Sequence, residues 1–199
     1  MNKIDSLEFL ENNHFNILPY IIYTDYTPEE EILFDKEEEI VRSVEELGRG
    51  PYSARTQPKD STCVSFKHPF RMNMDIPEIV RFVKEHSSEY RMIIYKTLDS
   101  EDCIVKGTIA QLGGEKYIEL VEGPGIVRDL DKSEVISFDI KEPFPTKLEH
   151  LLYIIKEVID RGEAIFYHFA SDEDIVVEWS YYKYPVGNLK RNLVFWEVR

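Results

Sequence analysis

Residues 91–123 constrain the fold more than any other stretch. RMIIYKT (91–97), CIVKGTIAQL (103–112) and KYIELVEG (116–123) each have the length and composition of a strand, with only DSED and LGGE as turns between them. Connections that short join antiparallel neighbours, because a parallel pair needs a crossover of a dozen residues or more. The stretch therefore predicts three antiparallel strands in succession. Further strands are expected at ILPYIIY (17–23), EVISFDI (134–140), AIFYHFAS (164–171), IVVEWSYY (175–182) and NLVFWEVR (192–199).

Helical patterns interrupt these strands. SLEFLENN (6–13) is a short helix candidate. TPEE (27–30) predicts a helix start, with Thr27 as N-cap, Pro28 at the first position and Glu30 closing a capping box. Ile40, Val41, Val44 and Leu47 continue its apolar stripe towards Gly48, and the glutamates between them form a solvated face. Asp75 caps a helix over 76–87, and another runs over 146–161 after the break at Pro143 and Pro145. GRGPYSARTQPKDSTCVSFKHPF (48–70) shows no periodicity and reads as a long connection, the kind that tends to carry function. Helices and mostly antiparallel strands in mixed order predict an α+β fold.

The charge balance narrows the partners. Thirty-eight acidic against 24 basic residues give −14, which disfavours nucleic acid or an anionic membrane as the main partner. No apolar run approaches the roughly 20 residues of a spanning helix. The start MNKIDSLEFLENNHF lacks the features of a signal peptide, so a cytoplasmic protein is expected. Cys63 and Cys103 have no metal-type spacing and read as structural. His168, within IFYHFA, reads as a hydrogen-bonded structural histidine rather than a base.

Two carboxylates stand where apolar residues are expected. Glu178 lies between Val177 and Trp179, and Glu197 lies in LVFWEVR with Arg199. Strict alternation would put Leu193, Phe195, Glu197 and Arg199 on one face and Val194, Trp196 and Val198 on the other. Two carboxylates on neighbouring strands suit Mg²⁺, which takes few protein ligands and completes its shell with water and phosphate oxygens. Arg55 and Arg199 offer planar forks for those phosphates. Lys59, Lys67 and Arg71 would make the 48–70 connection a phosphate cradle, the alternative being a solvated loop. A salt bridge from Glu178 to Arg199 or a lysine, with Glu197 at an exposed edge, is the plainer alternative.

The order of these segments resembles the N-terminal nucleotide-binding part of the phosphoenolpyruvate synthase and pyruvate phosphate dikinase family, an ATP-grasp fold. FLENNHFNILPYIIYT is similar to that family's helix and "VPxGF" strand. YSARTQPKDSTCVSFKHPF resembles its "RSSxxxED…SFAG" loop, with Arg55, Asp60, Ser65 and Phe66 in matching order. MIIYKTLDSEDCIVKGTI follows its "VQxMV" strand and hairpin, and VEGPGIVRDL its "GLGE" stretch. DEDIVVEW and LVFWEVR then resemble its closing "QDIEWA" and "LLQARP".

The resemblance implies that Glu178 and Glu197 hold Mg²⁺, Glu197 standing for a glutamine, and that Arg55, Asp60 and Arg199 serve ATP, to which the cradle reading adds Lys67. It implies a single ATP-grasp-like unit over 1–199, with nucleotide held between lobes 1–90 plus 146–199 and 91–145. The chain departs from the pattern where "RSS" is RTQ, and at the "GGKG" lysine, near whose place only Lys3 falls. No phosphohistidine motif is present. Three functions stay open: a phosphotransferase subunit completed by a protein partner, a non-catalytic nucleotide-sensing module, and a degenerate protein-interaction domain.

Overall fold

The computed structural model describes residues 1–24, 36–59, 68–123 and 135–199. In chain order the described elements are α1 (Lys3–Asn12), β1 (Tyr20–Tyr23), α2 (Lys36–Glu46), β2 (Tyr52–Pro58), β3 (Phe70–Met74), α3 (Ile76–His86) and β4 (Tyr90–Lys96). There follow β5 (Cys103–Leu112), β6 (Glu115–Glu122), β7 (Ile136–Asp139), α4 (Leu152–Phe166), β8 (Ile175–Val186) and β9 (Arg191–Val198). The architecture is α+β, with two antiparallel sheets ordered β1-β4-β2-β3 and β7-β6-β5-β8-β9.

The chain divides into one unit of Leu18–Leu98 and another of Met1–Ile17 with Asp99–Arg199. These edges differ from the expected lobe edges at 90 and 146, and strand pairing is the reason. β4 pairs with β1 and β2, whereas β5 pairs with β6 and β8, so the expected run of strands is cut at DSED. That stretch forms a turn of 3₁₀ helix (Ser100–Asp102) instead of a hairpin.

In the Leu18–Leu98 unit, α3 is held at its start by the expected cap. The Asp75 carboxylate accepts from Glu78 N–H, and the Glu78 carboxylate accepts from Asp75 N–H. Ile79, Phe82 and Val83 of α3 and Ile40 and Val44 of α2 share a core with Tyr52 and Ala54 of β2 and Met92 and Ile94 of β4. The expected helix start at Thr27 and Pro28 lies outside the described residues.

Part of the expected 48–70 connection is a strand. Tyr52–Pro58 is an inner strand, paired with β4 on one side and β3 on the other. Its polar residues are buried and satisfied: Ser53 Oγ bonds Thr97 Oγ1 at 2.6 Å, and Thr56 Oγ1 donates to Pro69 O at 2.8 Å. A strand buried on both faces through paired hydroxyls carries no hydrophobic alternation for a sequence reading to find.

In the other unit, α4 covers one face of the five-stranded sheet. It lies so close at Gly162 that a Cβ there would stand 2.5 Å from Ile109 Cδ1. The helix extends to Phe166, so the expected strand 164–171 is instead the end of α4 and a turn, with His168 exposed against the Phe9 ring. The apolar period of 146–161 simply continues through Ile165 and Phe166, both buried against the sheet side of the unit.

Asn16 ties the N-terminal segment to the β8–β9 hairpin. Its Nδ2 donates to the carbonyls of Val186, Arg191 and Leu193 at 3.0, 3.3 and 2.7 Å, and its Oδ1 accepts from Leu189 N–H at 2.9 Å. Asn16 is buried, so truncation leaves polar groups without partners, at a cost of about 2–3 kcal/mol. Asn16→Ala should lower the urea midpoint accordingly. Asn16→Asp should not restore it, because a carboxylate has no N–H for the three carbonyls.

Candidate functional site

The two carboxylates meet because β8 and β9 pair in a particular register. Val177 faces Val198 and Glu178 faces Glu197, so both glutamates point to the same side of the sheet. Beyond them the register shifts: Trp179 faces Phe195, and Trp196 is the extra residue of a β-bulge. The bulge resets the alternation expected for LVFWEVR. Leu193 and Phe195 lie on the Trp179 side, while Glu197 and Arg199 lie on the opposite side with Glu178. Leu193, Phe195 and Val198 are all buried, which satisfies the apolar part of the pattern without burying Arg199.

Arg199 is the third member of the group. Its Nη2 lies 2.9 Å from Glu178 Oε1, and the side chains are 48% and 30% exposed respectively. Glu197 is buried at 8% exposure rather than standing at an exposed edge. Like charges directly opposite each other on a sheet repel, and one guanidinium offsets part of that repulsion.

The neighbouring strand β5 adds residues not singled out from the sequence. Thr108 faces Glu178 and Lys106 faces Ser180 across the sheet, so these side chains share the side of the carboxylates. Ser180 Oγ accepts from Trp196 Nε1 at 2.9 Å, which anchors the bulged residue. Burial pulls the Lys106 ammonium below its ordinary value, an effect partly offset by Cys103. Burial pushes the Cys103 thiol up, partly offset by Lys106 and by hydrogen bonds to Val105 and Ser180. The signal for Lys106 was available: in CIVKGTIAQL it alternates with Val105 and Ile109, as Glu178 does with Val177 and Trp179.

Arg55 belongs to the Leu18–Leu98 unit and sits in β2, not in a loop. Its Nε donates to Tyr95 Oη at 2.9 Å, and its guanidinium lies over the rings of Phe70 and Tyr95 at 5.6 and 5.7 Å. Asp60 and Lys67, together with Cys63, lie outside the described residues. Lys3 is the first residue of α1.

Glu178 and Glu197 fit a hard divalent cation such as Mg²⁺: two carboxylates on opposed positions of a rigid ladder, with oxygen donors only. Among the described residues no group of three or more His, Cys, Asp or Glu side chains is arranged for a metal. Such an ion would take its remaining ligands from water and phosphate, and would supply charge neutralisation there.

No family model matches the sequence, and no curated protein does. Solved structures do match. D-alanyl-alanine synthetase A from Vibrio cholerae superposes over 100% of this chain and 54% of its own, at 13% identity and TM-score 0.54. D-alanine–D-alanine ligase from Bacillus anthracis, complexed with ATP, covers 100% and 54% at 14% identity and TM-score 0.52. A macrocyclase from Microcystis aeruginosa, bound with a precursor peptide, covers 99% and 51% at 8% identity and TM-score 0.51. The chain has the ATP-grasp fold. It spans about half the length of these ATP-grasp neighbours. The ATP-grasp part of the expected resemblance therefore holds, while its narrower phosphoenolpyruvate synthase part has no support from them. Among the described residues no helix is long and apolar enough to cross a membrane.

The Cys103 shift has a pH signature. Above about pH 9 an unfolded thiol ionises while the folded one keeps its proton, so the native state binds more protons and stability falls as the pH rises. Lys106 acts in the opposite sense, gaining stability as the pH climbs through its lowered value. Urea midpoints at pH 8 and 9.5 should therefore fall less for Cys103→Ala than for the unsubstituted protein. An equal fall in both would show that the thiol is not buried as described.

Proposed function

We propose that this ATP-grasp chain binds a magnesium–nucleotide complex, on the side of the five-stranded sheet turned away from α4. Glu178 and Glu197 hold the metal, and Arg199 and Lys106 serve the phosphates. The observation that carries this reading is the direct opposition of Glu178 and Glu197 beside Arg199 on one face. Lys106 adds a cation on the same face, and Thr108 a hydroxyl. Phosphate chemistry asks a protein mainly for positioning and charge neutralisation, which rigid strands and such side chains provide.

The names of the neighbours favour one reaction class. Those named above are a D-alanine–D-alanine ligase complexed with ATP, a D-alanyl-alanine synthetase and a macrocyclase. ATP-dependent ligation is thus favoured over the phosphoryl transfer that the family resemblance implied. A protein partner that completes the site belongs to this reading as well. A nucleotide-sensing module without chemistry is the second reading, favoured by the Glu178–Arg199 ion pair, which gives the site an internal cation.

Calorimetric titration with Mg-ATP, with Mg-GTP as control, tests the binding. Glu178→Gln should weaken Mg-ATP binding at least about tenfold. The pair is half-exposed and worth only about 0–1 kcal/mol, so the melting temperature should move by no more than about 4 °C. A variant that melts far lower yet binds as before would make Glu178 a structural residue. Absence of Mg-ATP binding at millimolar concentration by the unsubstituted protein would sink the reading.

A further inference from the structure

Arg199 stands where two opposed glutamates need a cation. We propose that its guanidinium is a built-in placeholder, so that the carboxylate pair takes a divalent ion only together with a polyphosphate. This rests on the nucleotide reading above and makes Arg199 the residue that sets the site's specificity for metal–polyphosphate over metal alone.

The backbone of Arg199 is held on both sides of one residue. Its N–H donates to Val176 O at 2.9 Å, and its carbonyl accepts from Val176 N–H at 2.7 Å. That pairing fixes the face on which the side chain emerges, with Glu197 two residues back on the same strand and Glu178 diagonally across at 2.9 Å. With its Cα anchored, the guanidinium can exchange partners only by rotating its own side chain. At 48% exposure it has room and water to do so, and ion pairs this exposed are weak.

The two possible incoming species then differ. A bare divalent ion must displace the guanidinium from Glu178 and leave it beside a second cation with no anion of its own. A metal–polyphosphate brings phosphate oxygens that match the planar fork, so the displaced guanidinium turns from carboxylate to phosphate. Metal and nucleotide therefore bind with positive coupling, each raising the affinity for the other by the same factor. A unit charge a few ångströms away in wet surroundings is worth roughly a tenfold change in binding.

Mn²⁺ in place of Mg²⁺ allows the metal to be followed alone, by water-proton relaxation, without any activity readout. Arg199→Gln should bind Mn²⁺ alone about tenfold more tightly than the unsubstituted protein, and ATP should enhance Mn²⁺ binding less in the variant. Arg199→Lys, which keeps the charge, should leave binding of Mn²⁺ alone as weak as before. Thermal melts check that each variant is folded. If the unsubstituted protein binds Mn-ATP but Arg199→Gln binds Mn²⁺ alone no more tightly, the placeholder idea is overturned and the nucleotide reading stands. If neither protein binds Mn²⁺ with or without ATP, the site reading fails, and the placeholder falls with it.

Discussion

The pairing of β8 with β9, and the bulge at Trp196 within it, is the constraint on which the site depends. Without the bulge, strict alternation would put Glu197 and Arg199 on the same side as Leu193 and Phe195. Burying that side would then bury a guanidinium and a carboxylate in the core. One inserted residue, anchored by the Trp196–Ser180 hydrogen bond, lets Leu193 and Phe195 pack on the Trp179 side while the charged pair emerges on the other. Bulges re-aim side chains in this way beside functional sites. Asn16 holds the far end of the same hairpin by bonding carbonyls on both of its strands, so the register is tied at both ends.

The electrostatics follow from that geometry. The chain already carries a net charge of −14, and directly opposed glutamates repel. Their presence on a rigid ladder is better suited to holding a cation than to supporting the sheet. The arginine that reaches Glu178 is half in water, so its contribution to folding is small. Weakness of that pair matters for function, because a partner that is easily released can be exchanged for phosphate.

Legibility varied with how each element is stabilised. The helix after Asp75 was readable because a capping box and a 3.6-residue stripe are local properties of the chain. Strands β5 and β6 were readable because LGGE is a tight connection between two strand-length runs, and Glu178 and Glu197 were conspicuous as charges in apolar strands. β2 was not, since its buried Ser53 and Thr56 are satisfied by Thr97 and Pro69, partners that only folding brings near. The same limit moved Arg55 from an expected loop to an inner strand against aromatic rings. Lys106 could have been found by the rule that exposed Glu178, but nothing local shows that it lies across from Ser180.

By itself the sequence determined the α+β class, most element positions, the acidic surface and the two misplaced carboxylates. These depend on periodicity, turn chemistry and composition, which are written along the chain. Only the tertiary structure decided which strands share a sheet, where the units divide, and on which face Glu197 and Arg199 emerge. Strand order and register are set by contacts between residues far apart in the chain, and a side-chain period of two means that one inserted residue reverses every face beyond it.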